Sequence, residues 1–552
     1  MTIAPELQFS LLTEPIIRYR RASDGETVKA SLPELFVALA ADEVRDYPAL
    51  RPHQRHPWHA FLVQLAAIAL HKAERTAGFE TAQEWRDALL ALTPDDPDGA
   101  AWCLVSPPDR PALLQAAVSV GLVKDWDISN AADSLDMLIT SKNHDLKQER
   151  MRRGSADDWL FSLVSLQTQE GFGGRDNFGI TRMAGSFGSR TAVGAVPSGN
   201  VGRRWQCDVA VMLNERDRIA ENYSYKHAGG ISLVWTIPWD GSLGAQISMQ
   251  QLDPLYIEIC RQVRLAIRPR TQNIFASTSS SKASRISSGD RQGVTGDIWT
   301  SVNELAKPFG AALKIRARGF DYKLSSSLLF GIEYGSGERA CFYSPTSALK
   351  LNGATPGQLS SAVLCGVSRG GPTGNKSVTQ GYHERRLPIS PKVRSLLITN
   401  QKAQLGRIAG QRIAAISEVR KLLWLSLVIL FANGNSRDNS VGDEAKASKF
   451  SAPFELVEDT RFFDDLNEEI EATDPAEQRL QWLLGVVERA EAILKAAFNA
   501  GPRSGIQKYR AQSAALSRFH GGLRSDKFPI PDLVNYYRQQ TIKRQEETRD
   551  NA

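Results

Sequence analysis

Hydrophobic and polar positions follow two different patterns on either side of Pro388. Up to that residue, short strand-like runs separated by turns are mixed with helical segments such as residues 57–78. After it, apolar positions recur at helical spacing to the end of the chain, as amphipathic helices require. We therefore predict an α+β fold, with a large mixed α/β domain at residues 1–388 and a C-terminal four-helix bundle at residues 389–552.

Turn and cap residues refine the start of the predicted α/β domain. Residues 9–19 read as a first strand, and Asp24-Gly25 predicts a hairpin turn into a second strand at residues 27–30. Ser31 is placed to cap the following helix, and Glu34, three residues later, completes the sequence of a capping box.

The predicted bundle has one acidic segment. Its helices are expected at about residues 392–432, 453–472, from the Asp474-Pro475 cap onwards, and in a last pair at 505–522 and 530–548. The acidic segment, residues 455–474, most simply keeps the surface soluble, and the alternative is a docking face for a basic partner.

Composition limits the class of protein. A chain of 552 residues is too long for one compact core, and its 42% hydrophobic and 23% charged residues are ordinary for a globular protein. The formal net charge is only +6, from 67 basic and 61 acidic residues, so the distribution of charge matters more than its sum.

Compartment signals favour the cytoplasm. The five cysteines contain no CxxC pair, which argues against a disulfide framework or a zinc knuckle: Cys103, Cys207, Cys260, Cys341 and Cys365. The first residues lack the basic and apolar regions of an export signal. The longest apolar run, residues 422–432, is too short to cross a bilayer. We expect a cytoplasmic protein without a membrane segment.

A glycine-rich stretch at residues 171–190 carries the first candidate binding site. It contains six glycines and three arginines, Arg175, Arg182 and Arg190. Glycine allows positive φ and close approach of the backbone to a ligand, and arginine supplies charge for phosphate. We predict that Gly171, Gly173, Gly174 and Arg175 bind DNA, by lying against its backbone or entering a minor groove. The alternative is a set of hairpin turns with exposed cations.

Further basic segments follow. Four arginines lie between residues 261 and 270, and residues 277–287, STSSSKASRIS, read as a flexible loop in which Lys282 and Arg285 are candidate DNA-binding residues. Residues 369–394 contain six basic residues and only one acidic residue. Such clustering is typical of a phosphate-binding face. The candidate phosphate contacts in this segment are Arg369, Arg385 and Arg386.

Sequence signatures of catalysis are missing. The chain has no Walker loop, HExxH, GxSxG or recognisable nuclease core. His53, His56 and His59 form an HxxHxxH pattern, but Pro52 and Pro57 break the helical geometry that would align them on a metal. We expect no catalytic residue, metal or cofactor. Two alternatives remain open: a metal-dependent nuclease with an unrecognised active site, and a scaffold that binds only protein.

Several short motifs, in order, resemble the CasA family, the large subunit of the type I-E CRISPR surveillance complex Cascade. They cover nearly the whole chain: FSLLTEPII (9–17), PWDG (238–241), LDPLYIEICRQVRL (252–265), SKASRI (281–286), GDIWTSV (296–302), GYHERRLPI (381–389), and the bundle sequences from Tyr509 and Ser517. One departure is Pro15-Ile16-Ile17-Arg18, where the family has Trp-Ile-Pro.

The resemblance implies a function. CasA-like subunits are not catalytic; they read a protospacer-adjacent motif (PAM) in double-stranded DNA, help to open the duplex for R-loop formation and recruit a helicase-nuclease. The implied partners are target DNA, crRNA-bound Cascade subunits and that nuclease. The family's minor-groove loop matches Gly171–Gly174, and a lysine near the PAM matches Lys282. Gln380, with Asn375 and Lys376 beside it, matches a wedge that separates base pairs.

Overall fold

The structure is a computed structural model that describes residues 7–136, 154–171, 175–185, 189–333, 335, 337, 340–349, 360–369, 379–398, 401–435 and 440–550, and not the side chains of residues 290, 369, 379–380 and 543–550. Its helices and strands confirm the predicted α+β fold class. The chain divides into two compact units. Unit 1 comprises Met1–Phe320 and Ser327–Leu387, and unit 2 comprises Asp321–Ser326 and Pro388–Ala552.

The helices of unit 1 surround a buried central helix. Among the described residues they are α1 (Leu32–Ala40), α2 (Arg55–Lys72), α3 (Ala82–Leu90), α4 (Val120–Val123), α5 (Ala156–Gln169) and α6 (Val201–Tyr223), while α7 (Tyr322–Phe330) begins in unit 2 and ends in unit 1. In α2 every side chain from His56 to Leu70 is buried. A helix that is covered on all sides belongs to the interior, and α2 packs against α3, α5 and α6.

The strands of unit 1 form small sheets. In order they are β1 (Gln8–Ser10), β2 (Ile17–Arg21), β3 (Thr27–Ala30), β4 (Val44–Asp46), β5 (Cys103–Val105), β6 (Asp127–Ser129), β7 (Ala192–Pro197), β8 (Ile231–Leu233), β9 (Ile247–Ser248), β10 (Leu252–Ile257), β11 (Gln262–Ile267), β12 (Ile274–Ser279), β13 (Ile286–Ser287), β14 (Val302–Asn303), β15 (Ala311–Ala312), β16 (Ser360–Arg369) and β17 (Thr379–Ile389). Three-stranded sheets have the orders β3-β2-β4, β11-β12-β6 and β17-β16-β7. The pairs are β1-β5, β8-β10, β9-β13 and β14-β15.

Local sequence signals predicted the start of unit 1 with one error. The capping box is present, since the Glu34 carboxylate accepts hydrogen bonds from the backbone N–H (2.7 Å) and hydroxyl (2.8 Å) of Ser31. The Asp24-Gly25 turn joins β2 to β3, with Gly25 at a φ of 74°. The single strand expected at residues 9–19 is wrong. The chain turns after Ser10, whose N–H donates to the Glu14 carboxylate at 2.8 Å, and a separate strand begins at Ile17.

Unit 2 is a helical bundle. Its helices are α8 (Pro391–Ile398), α9 (Lys402–Phe431), α10 (Val441–Glu471), α11 (Pro475–Ala496), α12 (Gly505–Leu523) and α13 (Pro531–Asp550). The long helix α9 packs against α10, α11 and α12, so these four make the bundle core. As predicted, the carboxylate of Asp474 caps α11 by accepting from the N–H groups of Ala476 and Glu477 at 3.0 and 3.1 Å.

The acidic segment of the bundle is not a uniform solvent-facing surface. Glu455, Glu458, Asp465 and Glu469 are buried within α10. Glu458 binds the Arg489 guanidinium at 2.6 and 2.9 Å, and Glu469 binds that of Arg412 at 2.6 Å. The interpretation of the whole segment as a solvated or docking face is therefore wrong, because burying these carboxylates requires internal cationic partners.

Residues 422–432, the longest apolar run, lie in the bundle as the C-terminal part of α9. Ser426, which interrupts the run, is buried, and its hydroxyl donates to the Leu422 carbonyl at 2.9 Å. Over the ranges that the structure describes, no helix combines the length and apolar character needed to cross a membrane.

Candidate nucleic-acid interface

The glycine-rich stretch follows α5, and a hydrogen bond holds its first residue in place. The carbonyl oxygen of Gly171 accepts a hydrogen bond from the Arg261 guanidinium at 2.7 Å. Gly173 and Gly174 lie outside the described residues. Arg175 follows them with 95% of its side chain exposed, and its nearest acid is Asp176 at 3.6 Å. Its charge is therefore available to a ligand.

The SKASRI segment lies directly beside the glycine-rich stretch. The N–H of Ser281 donates to the Asp176 carbonyl at 2.9 Å, and the N–H of Lys282 donates to the Gly241 carbonyl at 2.8 Å. The Lys282 side chain is exposed. Two predicted DNA-binding segments that are about a hundred residues apart in sequence are thus held together by a backbone hydrogen bond.

A cleft of about 530 Å³ opens at this junction. Its lining includes two arginines, Arg175 and Arg261, and two aspartates, Asp125 and Asp127. The cleft itself is therefore electrically balanced. Any preference for phosphate here depends on Arg175 and on Lys282 beside the cleft, since both carry charge into solvent.

The other two arginines of the glycine-rich stretch are structural. Arg182 is buried and binds the Glu258 carboxylate at 2.9 Å and the Tyr256 carbonyl at 2.8 Å. Arg190 is buried and forms two hydrogen bonds with Asp297, at 2.7 and 2.8 Å. Their interpretation as phosphate-binding cations is wrong, because both guanidinium groups are used inside the fold.

Arg285 is also structural, which corrects its assignment to the DNA-binding set. It is 2% exposed, and its guanidinium donates to the carbonyls of Ala245 (2.6 Å), Ile237 (2.8 Å) and Pro238 (3.2 Å). Burial lowers the pKa of Arg285 to about 10, so the group remains charged at neutral pH. The flexible loop expected at residues 277–287 is wrong too, since β12 and β13 occupy its two ends.

The third basic segment is the hairpin of β16 and β17. Asn375 and Lys376 lie outside the described residues, and the structure gives no side chain for Arg369 or Gln380, which lie in β16 and β17. Arg385 is half-buried and donates to the Phe320 carbonyl at 2.7 Å.

Arg386 is the predicted phosphate contact whose guanidinium faces solvent, with 57% of its side chain exposed. It pairs with Glu384 at 2.8 Å. Burial alone would raise the pKa of Glu384, but hydrogen bonds from Arg386 and Tyr382 hold it below its usual value. The carboxylate is therefore ionised and offsets part of the local positive charge.

Comparison with solved structures identifies the fold. Cse1 from Thermobifida fusca aligns with a TM-score of 0.63 and 15% identity over 93% of this chain and 96% of its own. The CRISPR-associated protein Cse1 from Acidimicrobium ferrooxidans aligns with a TM-score of 0.61 and 14% identity over 97% and 99%. The chain has the Cse1 (CasA) fold. Thermus thermophilus CasA (Cse1) agrees, with a TM-score of 0.60 and 14% identity over 93% and 98%.

The Cse1 similarity is one of structure. A scan against protein-family models finds no match, and a search of curated proteins finds none either. At 14–15% identity, the solved structures confirm the CasA resemblance at the level of fold.

Within this Cse1 fold the histidines of the HxxHxxH pattern have separate partners. His53 Nε2 lies 2.7 Å from an Asp136 carboxylate oxygen, and His59 Nε2 lies 2.7 Å from one of Asp208. Both ring nitrogens of His56 are buried without a hydrogen-bond partner in the described part of the chain. Across the same residues, no group of three or more His, Cys, Asp or Glu side chains is placed to hold a metal ion.

Gln167 and Arg261 are site residues that the sequence did not reveal. The buried amide of Gln167 accepts from the N–H groups of Cys260 and Arg261, at 2.8 and 2.9 Å, and donates to the Arg261 carbonyl at 3.0 Å. This fixes the backbone from which Arg261 reaches Gly171. Arg261 was visible in the cluster between residues 261 and 270, but nothing in the sequence linked it to the glycines.

Proposed function

We propose that this chain is the non-catalytic large subunit of a Cascade-type, crRNA-guided surveillance complex. The observation that carries the proposal is the Cse1 fold, which extends over more than nine-tenths of this chain and of each compared structure. In this role the subunit recognises a PAM in double-stranded DNA, helps to open the duplex and recruits a helicase-nuclease, while pairing with the crRNA reads the sequence. Its other partners are the crRNA-bound subunits.

The proposed PAM-reading surface consists of Gly171, Gly173, Gly174, Arg175 and Lys282. Support comes from the hydrogen bond between Ser281 and Asp176, which makes the two segments neighbours. Support also comes from the exposure of both cationic side chains. Glycine backbone at the groove and flanking cations on phosphates would read groove shape and hold the duplex in register.

The proposed wedge is the tip of the β16–β17 hairpin. Gln380, with Asn375 and Lys376, would enter between base pairs next to the PAM, and Arg369 and Arg386 would contact phosphates of the separated strands. Support comes from β16, which pairs with β7 only from Ser360 to Cys365 but continues to Arg369 beside β17, so that the two strands extend past the end of their neighbour.

Binding of assembled complexes to DNA tests the function. The chain is combined with crRNA and its partner subunits, and binding is measured on duplexes that carry a matching target with a permuted PAM. We expect binding that depends on the PAM and on this chain, and target degradation only after a helicase-nuclease is added. Binding that ignores the PAM would contradict the proposal. Divalent-metal-dependent cleavage by the purified chain would favour a nuclease instead.

A further inference from the structure

Unit 1 contains a second cavity with a strongly basic lining. It has a volume of about 560 Å³ and is formed by β2, β4, the start of α2, the start of α6 and one residue of β17. It shares no lining residue with the cleft at the glycine-rich stretch. Five arginines line it: Arg20, Arg45, Arg55, Arg204 and Arg386.

Positive charge exceeds negative charge in this cavity. The one carboxylate in its lining is Asp46, which lies 3.2 Å from Arg20. Arg45 is exposed at the same edge. His59, also in the lining, is neutral at pH 7, because burial and the nearby Arg204 lower its pKa despite its hydrogen bond to Asp208.

Two carboxylates outside the lining lie close to its arginines. Glu384 lies 3.5 Å from Arg55 and 2.8 Å from Arg386, and Asp208 lies 3.7 Å from Arg204. Asp42 accepts a hydrogen bond from the N–H of Asn200, another lining residue, at 3.0 Å. With all four carboxylates counted, the five guanidinium groups are still in excess, which favours an anion such as a phosphate monoester, whose charge is close to −2 at neutral pH.

One side of the cavity wall is aromatic. Trp58, Trp205 and Tyr47 belong to its lining, and their exposed fractions are 1%, 3% and 8%. A planar ring that enters the cavity would therefore meet aromatic side chains on this side.

We infer that this cavity binds a nucleoside monophosphate unit, either as a free nucleotide or as the phosphorylated end of a nucleic-acid strand. Arginines at the mouth hold the phosphate, with bidentate geometry available to the guanidinium groups. The base contacts the aromatic wall. The volume lies within the roughly 300–1,000 Å³ typical of small-molecule sites. The inference does not depend on the proposed function.

Calorimetric titration of the full-length chain tests the ligand chemistry. AMP should bind more tightly than adenosine or inorganic phosphate, because only AMP has both parts. A 5′-phosphorylated trinucleotide is compared with its 5′-hydroxyl form to separate the two sources. Tighter binding of the phosphorylated strand than of AMP assigns the site to a strand end, and the reverse assigns it to a free nucleotide. Equal affinity for phosphate and AMP, or no binding of either nucleotide form, overturns the inference.

Variants locate the binding. Arg45→Glu should weaken AMP binding by at least about tenfold, since a charged hydrogen bond is lost and a repulsive charge is added. Arg270→Glu is the matched control, because Arg270 is equally exposed but lies outside the cavity. Trp205→Leu, which removes an aromatic ring from the wall, should also weaken AMP binding, and its melting temperature shows whether the fold persists. Wild-type affinity in Arg45→Glu would refute the assignment.

Discussion

At the scale of residues, the arginines of this chain differ in what their guanidinium groups contact. Arg264 is buried, and its guanidinium donates to the carbonyls of Ser106, Pro107, Gln115 and Ala116. Arg175 and Lys282, by contrast, point into solvent. The sequence showed where arginines cluster, but the partners of Arg264 lie about 150 residues away. Composition therefore could not separate structural cations from binding cations.

Arg175→Ala should weaken duplex binding by the assembled complex without changing stability. The side chain is almost fully exposed, so its removal takes away no packing, and under the proposed function it removes one phosphate contact. The loss should be equal for all PAM sequences, with a decrease of about one unit in the slope of log affinity against log salt. Binding measured at several salt concentrations checks this. A loss confined to one PAM would instead show that Arg175 contacts bases.

Arg285→Ala should destabilise unit 1. It leaves three backbone carbonyls of the neighbouring loop without their donor, and each unsatisfied group costs about 1–3 kcal/mol. We expect a loss of at least about 2 kcal/mol in the free energy of unfolding, measured by urea denaturation. Lys282→Ala is the control on the same segment, since its exposed side chain supports no such bonds. Stability equal to wild type in Arg285→Ala would contradict the structural role.

Gly174→Val should abolish PAM-dependent binding while leaving assembly with the partner subunits intact. If the glycines enter a minor groove, as proposed, a side chain at this position would collide with the groove floor or prevent the backbone conformation that close approach needs. Size-exclusion chromatography of the complex is the control for assembly. If the variant binds its target normally, the glycines do not read the PAM, and if it fails to assemble, they serve a structural turn.

At the scale of elements, the sequence predicts features that depend on neighbouring residues, such as helix caps. It does not predict the pairing of strands that are far apart in the chain. The Ser31–Glu34 box and the Asp474 cap each depend on residues within one turn of a helix, so the sequence predicted them. The segment from residue 277 looked flexible because it is polar. Its first residues pair with β11 and β6 instead, and the partner strands supply hydrogen bonds that no local pattern reveals.

Glu458→Gln should destabilise the bundle, whereas Glu468→Gln should not. Glu458 is 1% exposed and shares two hydrogen bonds with Arg489. Because Arg489 keeps a quarter of its side chain in solvent, we expect a loss of about 2 kcal/mol, below the value for a fully buried pair. Glu468 lies on the exposed face of the same helix and serves as the control. Urea denaturation measures both, and equal effects would contradict the distinction between buried and exposed acids in α10.

Gln380→Ala should slow R-loop formation more on linear than on supercoiled DNA. If the β16–β17 hairpin acts as a wedge, its tip supplies part of the few kcal/mol needed to unstack the first base pairs. Negative supercoiling supplies the same energy and compensates for the loss. Stopped-flow rates on the two templates measure the difference, and an equal decrease on both would argue against a wedge.

At the scale of the whole molecule, the boundary between the units depends on both local pattern and distant contacts. The change of periodicity at Pro388 is visible in the sequence, and unit 2 resumes at that residue. The addition of Asp321–Ser326 to unit 2 is not visible. It results from contacts with α10, in which Lys323 Nζ binds Glu455 at 2.7 Å and the Tyr322 ring lies 5.0 Å from that of Phe462.

The two units should respond differently to mild acid, because buried histidines lie in unit 1. Burial lowers the pKa of His56 well below its usual value, and Arg190 lowers it further. His59 is lowered in the same direction, first by burial. The folded state therefore binds fewer protons than the unfolded state once the pH falls below about 6.5, the usual histidine pKa. Stability is full above that pH and decreases below it, for His56 by on the order of 1 kcal/mol at pH 5.5.

Hydrogen exchange followed by mass spectrometry resolves this response by segment. On lowering the pH from 7.5 to 5.5, protection in α2, corrected for the intrinsic exchange rate, should decrease, while protection in α11 of the bundle should change less. His56→Leu removes two buried ring nitrogens that have no partner in the described part of the chain, so it should reduce the pH dependence of α2. His227→Gln, at an exposed position, should leave it unchanged. The same pH dependence in His56→Leu as in wild type would exclude His56 as its source.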